Sequence, residues 1–228
     1  MPQLKIDFLR EVLPEKQKET SVVTVDDVIV MSKTSEEFYQ NLFLNFSREN
    51  ITLIEELTRG QSDNLLWYEC WKGVSSASKA HEVKTKMAKV MAGCGGCIKS
   101  ICQKISGYSY VSPDIPALKY GREMESIAAN HFLEIFKKHH KQVSLTECGL
   151  FLEQKYPYIG ASPDRVVSCK CHARACLEIK CPCSISHLSP MDPLVKLDYI
   201  PLVQGLNSTL SCLLILTDGG RKRVQWNL

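Results

Sequence analysis

The sequence predicts a mixed α/β (α+β) fold, and two observations support that prediction. Residues 116–139 carry apolar side chains at every third or fourth position, which is the spacing of one buried helix face. Short strand candidates follow, and a polar turn at residues 168–174 makes the last two a predicted hairpin. The strand candidates are residues 148–152, 159–167 and 175–181. A further helix over residues 199–213 completes the pattern.

The N-terminal part of the chain differs in character from the rest. Residues 1–62 are predicted to form an accessory segment, partly helical, with a β-branched run at residues 22–30 and a helix capped by Ser35. Residues 67–92 are predicted to form one basic helix. Residues 63–228 are then a single main domain of ordinary length.

Composition excludes several classes of protein. The chain has 228 residues, 44% of them hydrophobic, with a net charge of +3, so it can bury enough surface to fold. No apolar run approaches the ~20 residues of a membrane-spanning helix, and the N-terminus lacks a signal-peptide core. Eleven cysteines without a secretion signal favour reduced thiols or metal ligands over a disulfide framework. We therefore expect no membrane association and a place in the cytosol or nucleus.

Charge is distributed unevenly along the chain. Residues 1–71 carry 7 basic and 13 acidic side chains, whereas residues 72–141 carry 12 and 5. The basic stretch, with Arg122 near its end, is a candidate surface for a phosphate backbone. The alternative is an ordinary solvated face.

Four side chains from three segments form the candidate site. Strand alternation places Glu178 and Lys180 on one face of the last predicted strand, opposite its apolar residues. If the hairpin pairs as predicted, Asp164 lies at the turn-ward end of the neighbouring strand, and the long helix can bring Glu125 to the same edge. Three carboxylates and a lysine suit Mg²⁺ or Mn²⁺ and the hydrolysis of a phosphodiester. The alternative is that these are ordinary surface charges, but apolar residues flank Glu178 on both sides.

These segments also carry a resemblance to a known family. The order of "YGREMESIA", "GASPDR", "LEIKCP" and "YIPLVQGLN", preceded by "TRGQSDNLLWYECWKGVSSAS", is similar to the YqaJ-type viral recombinase family of lambda exonuclease-like enzymes. That family belongs to the PD-(D/E)XK nuclease superfamily. The resemblance covers residues 58–212 and implies a restriction-endonuclease-like core, a mixed β-sheet flanked by helices, for the domain at residues 63–228.

The resemblance also assigns roles to individual residues. It implies metal binding by the three acids, catalysis by the lysine, support from a glutamine and a 5′-phosphate pocket lined by serines. These are Glu125, Asp164 and Glu178 for metal, Lys180 for catalysis, Gln204 for support, and Ser76, Ser78 and Ser162 for the pocket. The implied activity is Mg²⁺-dependent (or Mn²⁺-dependent) 5′-to-3′ digestion from double-stranded DNA ends, in recombination or repair. A homotrimer is implied as well.

The sequence departs from the family pattern at several positions. Trp71 stands where the family has an arginine that contacts the terminal phosphate, and the adjacent Lys72 is the candidate substitute. Arg165 follows the motif aspartate where glycine is usual, so it is placed either to contact phosphate or to interfere with metal binding. Leu202 replaces the first glutamine of a Gln-x-Gln pair, and the C-terminus is predicted to be shortened. These departures motivate an alternative, a catalytically weakened DNA-binding or assembly module that keeps the fold.

Cysteines and a histidine are concentrated in the predicted hairpin turn. Cys169, Cys171, His172 and Cys176 are permissible zinc ligands, although their spacing is tighter than the usual Cys-x₂-Cys pairs. The alternative is a turn with reduced cysteines. Three further histidines are predicted to be surface or internally satisfied residues: His131, His139 and His140.

Overall fold

The computed structural model describes residues 22–94, 97–107, 114–186, 213–218 and 221–227. The described helices are α1 (Val25–Met31), α2 (Ser35–Asn45), α3 (Arg48–Leu57), α4 (Leu65–Trp71), α5 (Ala77–Met91), α6 (Lys99–Ile105) and α7 (Pro116–His139). The described strands are β1 (Ser75–Ser76), β2 (Ser144–Glu147), β3 (Phe151–Glu153), β4 (Tyr156–Ala161), β5 (Arg165–Ser168), β6 (Ala175–Lys180), β7 (Leu213–Asp218) and β8 (Arg221–Asn227). This composition confirms the predicted α+β class. None of the described helices is long and apolar enough to cross a membrane.

The chain divides into two compact units. Unit 1 comprises the described residues up to 107 together with Cys148–Ser162, and unit 2 comprises those at 114–147 and from 163 onward. The predicted boundary between residues 62 and 63 falls within unit 1. It was drawn from sequence character, and it stays a prediction.

Unit 1 packs helices α1 to α4 against a small sheet. The sheet has the order β1-β4-β3, with β1 parallel to β4 and β3 antiparallel to it. Val28, Ile54 and Leu150 are fully buried in its core. The segment just before β3 is bound to α3, because the backbone N–H of Gly149 donates to the Glu55 carboxylate at 3.0 Å. A Cβ on Gly149 would lie 2.0 Å from the Glu55 carbonyl oxygen, so this close approach requires glycine.

Unit 2 contains the longest helix and a five-stranded sheet. The sheet has the order β2-β5-β6-β7-β8, and every pair in it is antiparallel. Helix α7 buries Ala128, Phe132 and Phe136 against the strand residues Leu177 and Ile179. The apolar periodicity of residues 116–139 therefore predicted both the helix and the face that it buries. Pro116 begins this helix without loss, since the first N–H of a helix has no acceptor within it.

Several predicted elements differ from the structure. The predicted strand 159–167 is two strands, β4 and β5, interrupted around Pro163, which has no N–H to donate to a ladder. The predicted helix 67–92 is also two helices, and Gly73 between them has φ +79°. Thr24 caps the β-branched run in a capping box with Asp27, so the run is helix α1.

Two predicted caps or ends are also different. Helix α2 is capped by Thr34, whose side chain accepts from the Glu37 N–H, and Ser35 is its first residue. The predicted helix at residues 199–213 lies outside the described residues except for Leu213, which begins β7. Residues 213–218 and 221–227 supply two strands to the sheet of unit 2, and the predicted shortening of the C-terminus stays a prediction.

Nine cysteines of the described residues are free thiols, and Cys181 is not. The free thiols of the described residues are Cys70, Cys94, Cys97, Cys102, Cys148, Cys169, Cys171, Cys176 and Cys183. Cys181 is buried in the core of unit 2 and is disulfide-bonded, which the sequence did not indicate.

Candidate active site

Strand β6 presents two charged side chains on one of its faces. Leu177 and Ile179 are buried on the other face, at 0% and 6% exposure, as the strand alternation predicted. Glu178 and Lys180 remain partly accessible, and the Lys180 ammonium donates a hydrogen bond to the Glu178 carboxylate. The prediction that these two side chains point the same way is confirmed.

Asp164 lies beside them, immediately before β5. In the β5–β6 register Arg165 pairs with Leu177, so the preceding Asp164 comes next to Glu178. Its Oδ2 accepts a hydrogen bond from the Ile179 backbone N–H at 2.5 Å. The turn of the hairpin is at the other end of β5, so the expected turn-ward position was wrong. The reason is the break at Pro163, which moves Asp164 from inside a strand to the start of one.

The surroundings of Asp164 disfavour the ionised form of its carboxyl group. Burial, together with the charges of Glu178 and Glu125, raises its pKa to about 7, although the Ile179 N–H and Lys180 act in the opposite direction. Burial by itself lowers the pKa of Lys180, but the hydrogen bond to Glu178 and the surrounding carboxylates outweigh it and raise the value. The side chains are therefore close enough to influence one another, and together they hold excess negative charge.

Glu125 reaches the site from the middle of α7, and Arg165 contacts it. The Arg165 guanidinium is 3.0 Å from the Glu125 carboxylate and 3.3 Å from that of Glu147, at the end of β2. It also donates to the backbone carbonyl of Asp164 at 2.6 Å. Arg165, the departure from the family's glycine, thus lies inside the cluster and neutralises part of its charge.

The donor set fits a hard divalent cation. Carboxylate oxygens are the ligands that Mg²⁺ and Mn²⁺ prefer, and they are supplied by Asp164 just before β5, Glu178 in β6 and Glu125 in α7. Burial is the main cause of the raised pKa of Asp164, and the repulsion from Glu178 and Glu125 that adds to it is the kind that a bound cation relieves. The three acids are of the chemical type that suits the metal, but among the described residues their carboxylate oxygens do not all lie within 4.8 Å of one another, so metal binding by all three stays a proposal.

The predicted phosphate-pocket residues lie in unit 1. Ser76 ends β1, paired with Gly160. The Ser162 hydroxyl accepts from the Trp67 indole N–H at 3.0 Å and donates to the Gly149 carbonyl at 2.8 Å. Its one proton is therefore already engaged within the fold. Phosphate binding by these serines stays a prediction.

The arginine position of the family pattern is filled by an inward-facing tryptophan. Trp71 packs against the core of unit 1 and stacks edge to face on Trp67, with ring centroids 5.9 Å apart. Its indole N–H is buried without an acceptor in the described part of the chain. Lys72, the candidate substitute for the arginine, is paired with Glu69 at 2.8 Å.

The remaining predicted site residues lie outside the acidic cluster or outside the described part of the chain. Arg122 is exposed on α7, three residues before Glu125. Gln204 and the side chain of Ser78 lie outside the described residues. Of the zinc candidates, Cys169, Cys171 and His172 lie together in the turn between β5 and β6, next to His140 at the end of α7. Cys176 lies within β6, paired with Val166 and Thr217.

Two residues of interest were missed by the sequence analysis. Glu147 contacts Arg165 because β2 pairs with β5 in a register that sets these two residues opposite each other. The acid in "TECG" carried no motif, so only strand pairing reveals it. His140 was predicted to be a surface or internally satisfied histidine, although its position directly after the predicted long helix was a usable signal.

An α+β core that brings three carboxylates and a lysine together has the arrangement of a nuclease. A model of the YqaJ-like viral recombinase domain family matches residues 66–205, more than half of the chain. The chain belongs to this family, which is one of recombination-associated nucleases, and the family resemblance is confirmed. No curated protein and no solved structure gives a significant match.

Proposed function

We propose that this protein is a metal-dependent deoxyribonuclease that digests double-stranded DNA from its ends, in the 5′-to-3′ direction, in recombination or repair. The observation that carries the proposal is the convergence of Asp164, Glu178, Lys180 and Glu125 in unit 2. Family membership supports a nuclease acting on DNA. Polarity and preference for ends come from the family resemblance, as does a homotrimeric assembly.

Each side chain has a proposed role. Asp164, Glu178 and Glu125 would hold Mg²⁺ or Mn²⁺, which supplies positive charge beside the scissile phosphate and lowers the pKa of bound water. Lys180 orients or activates the attacking water and offsets negative charge on the phosphate. The Ile179 N–H donates a hydrogen bond to the Asp164 carboxylate and holds it in one orientation, beside Glu178. Gln204 would support this set.

The test uses linear duplex DNA labelled at its ends. We expect the purified chain to release nucleotides with Mg²⁺ or Mn²⁺ and not with EDTA. Asp164→Ala should release none, and Lys180→Ala should release them far more slowly than the wild type. Glu134→Gln and Lys138→Ala, exposed changes on α7, are the matched controls and should keep wild-type activity. Labelling the 5′ or 3′ end distinguishes the direction, and a circular substrate distinguishes exonuclease from endonuclease.

A second candidate function rests on Arg165. Its ion pair with Glu125 occupies one of the proposed metal-binding acids, which favours a DNA-binding or assembly module with weakened catalysis. A folded wild-type chain that binds DNA but leaves it intact with both Mg²⁺ and Mn²⁺ would contradict the nuclease proposal. Activity that appears only in Arg165→Gly would identify the second candidate.

A further inference from the structure

A cluster of metal-ligating side chains lies at the end of α7, separate from the acidic site. The ligand atoms of His140, Cys169 and Cys171 all lie within 4.8 Å of one another. The Cys169 sulfur is 3.9 Å from Nδ1 of His140 and 3.9 Å from Nδ1 of His172. We propose that His140, Cys169, Cys171 and His172 form a structural zinc site that fastens the β5–β6 turn to the end of α7.

The distances agree with the size of a zinc site. Zinc binds thiolate sulfur at about 2.3 Å and imidazole nitrogen at about 2.1 Å, which places two tetrahedral ligands about 3.6 Å apart. The two sulfur-to-nitrogen distances at Cys169 are only slightly longer. His172 is exposed, and its ring lies 5.0 Å from that of His140, so it is the nearest candidate for a fourth ligand beside the three whose atoms already lie together. Two thiolates and two imidazoles are a usual closed ligand set for zinc.

The surrounding backbone holds these ligands in position. Phe136 stacks on the His140 ring at a centroid distance of 3.8 Å, which fixes the direction of the imidazole. The Lys170 N–H donates to the Lys141 carbonyl at 3.0 Å, and the Lys141 N–H donates to the Cys171 sulfur at 3.4 Å. Hydrogen bonds of this kind orient metal-binding thiolates in known sites. The turn is therefore already held against the residue that follows His140.

The proposed ligands balance the charge of the metal. His140 follows the last residue of α7, where the backbone carbonyls give the helix end a partial negative charge. Zn²⁺ with two thiolates and two neutral imidazoles carries no net charge, so a small site near the surface bears no desolvation penalty for an unpaired ion. Soft thiolate ligands with imidazoles select zinc over Mg²⁺ or Mn²⁺, so this site and the acidic site take different metals.

The proposed set differs from the one that the sequence predicted. His140 takes the place of Cys176 in the set. Cys176 lies on β6, and its side chain is on the same face of the sheet as that of Glu178. Cys169 is on the opposite face, where it packs against the α7 core. Cys94 and Cys97 are exposed and form no three-ligand cluster within the described residues. A bound zinc would stabilise the hairpin whose strands carry Asp164 and Glu178, without contacting either acid.

The test begins with the metal content of the full chain. We expect one zinc per chain after expression in zinc-supplemented medium, measured by inductively coupled plasma mass spectrometry. Cys169→Ser and Cys171→Ser should lose it, whereas Cys176→Ser, Cys183→Ser and Cys94→Ser should retain it. His140→Ala should lose zinc while His139→Ala, its exposed neighbour, keeps it. Circular dichroism establishes that each variant is folded.

A second measurement does not depend on the variants. Co²⁺ added to the metal-free wild-type chain should give the visible absorption of a tetrahedral site, with a thiolate-to-metal band of two sulfurs, and zinc should abolish it. Hydrogen exchange should then slow at residues 139–141 and 168–173 when zinc binds. A wild-type chain without zinc and without the cobalt spectrum overturns the proposal. So does zinc that survives Cys169→Ser or disappears in Cys176→Ser or Cys94→Ser.

Discussion

The two units carry different parts of the family pattern, and they keep it to different degrees. In unit 2 the acids and the lysine of the pattern face one another, and the pKa of Asp164 responds to its neighbours. In unit 1 the pattern positions are used by the fold itself: Ser162 bonds to Trp67 and Gly149, Lys72 pairs with Glu69, and Trp71 packs into the core. A motif residue can act on a substrate only when its polar atoms are not already engaged internally.

The largest expected effect separates catalysis from folding in unit 2. Asp164→Asn should abolish DNA hydrolysis, because the amide removes one of the three anionic metal ligands. The metal-free variant should be at least as stable as the wild type to urea, since it loses repulsion from Glu178 and Glu125 while the amide oxygen still accepts from Ile179. Mn²⁺ should raise the melting temperature of the wild type and not that of the variant. A variant that still digests DNA would contradict the assignment.

The lysine should show the next largest effect. Lys180→Ala should lower kcat by about 100- to 1,000-fold, the range for loss of one positioned donor that stabilises charge in the transition state. Metal affinity should change much less, because Lys180 supplies no oxygen ligand, and calorimetric titration with Mn²⁺ measures it. The control Lys138→Ala alters an exposed lysine on α7 and should match the wild type. Equal activity in the two variants would remove Lys180 from the mechanism.

In unit 1 the prediction concerns stability. Ser162→Ala should lower the free energy of unfolding by about 1–3 kcal/mol, because the Trp67 N–H and the Gly149 carbonyl both lose their partner. Ser62→Ala, an exposed serine of the same unit, should change it by less than about 0.5 kcal/mol. Urea denaturation measures both. If Ser162→Ala is as stable as the control but discriminates less between 5′-phosphate and 5′-hydroxyl ends, the hydroxyl serves phosphate and not the fold.

A smaller effect is expected at Arg165. An ion pair of this partial exposure contributes about 1 kcal/mol, so Arg165→Ala should tighten Mn²⁺ binding by about fivefold. The substitution removes the ion pair between Arg165 and Glu125, so that the Glu125 carboxylate can bind the cation without this competition. Arg174→Ala, in the exposed hairpin turn, is the matched control. Weaker metal binding by Arg165→Ala would mean that Arg165 positions Glu125 for the metal and does not compete with it.

The smallest effect concerns the DNA end. With Trp71 in place of the arginine, 5′-phosphate and 5′-hydroxyl duplexes should be digested at nearly equal rates, because an inward indole offers no positive charge to a terminal phosphate. Initial rates on the two substrates, otherwise identical, measure this. A strong preference for the 5′-phosphate would show that another group of unit 1 has taken over the role of the arginine.

The sequence predicted best what depends on local repetition. Helix α7 has the predicted bounds because its apolar spacing, its first proline and its basic last turn are all local signals. The alternation on β6 likewise predicted which side chains are buried. The break at Pro163 and the helix at residues 25–31 were missed, because a loop between strands and a capped helix rich in valine compete with plain strand propensity.

By itself, the sequence determined the class of fold and the family, and it predicted the four side chains of the candidate site, since motif order and strand alternation are properties of residues close together in the chain. Only the tertiary structure decided which groups are still available for chemistry. Glu147 meets Arg165 through strand register, His140 meets the cysteines of the turn through the end of α7, and Ser162 is engaged by Gly149. These contacts join segments that are distant in sequence, and their geometry is set by packing, which no local pattern records.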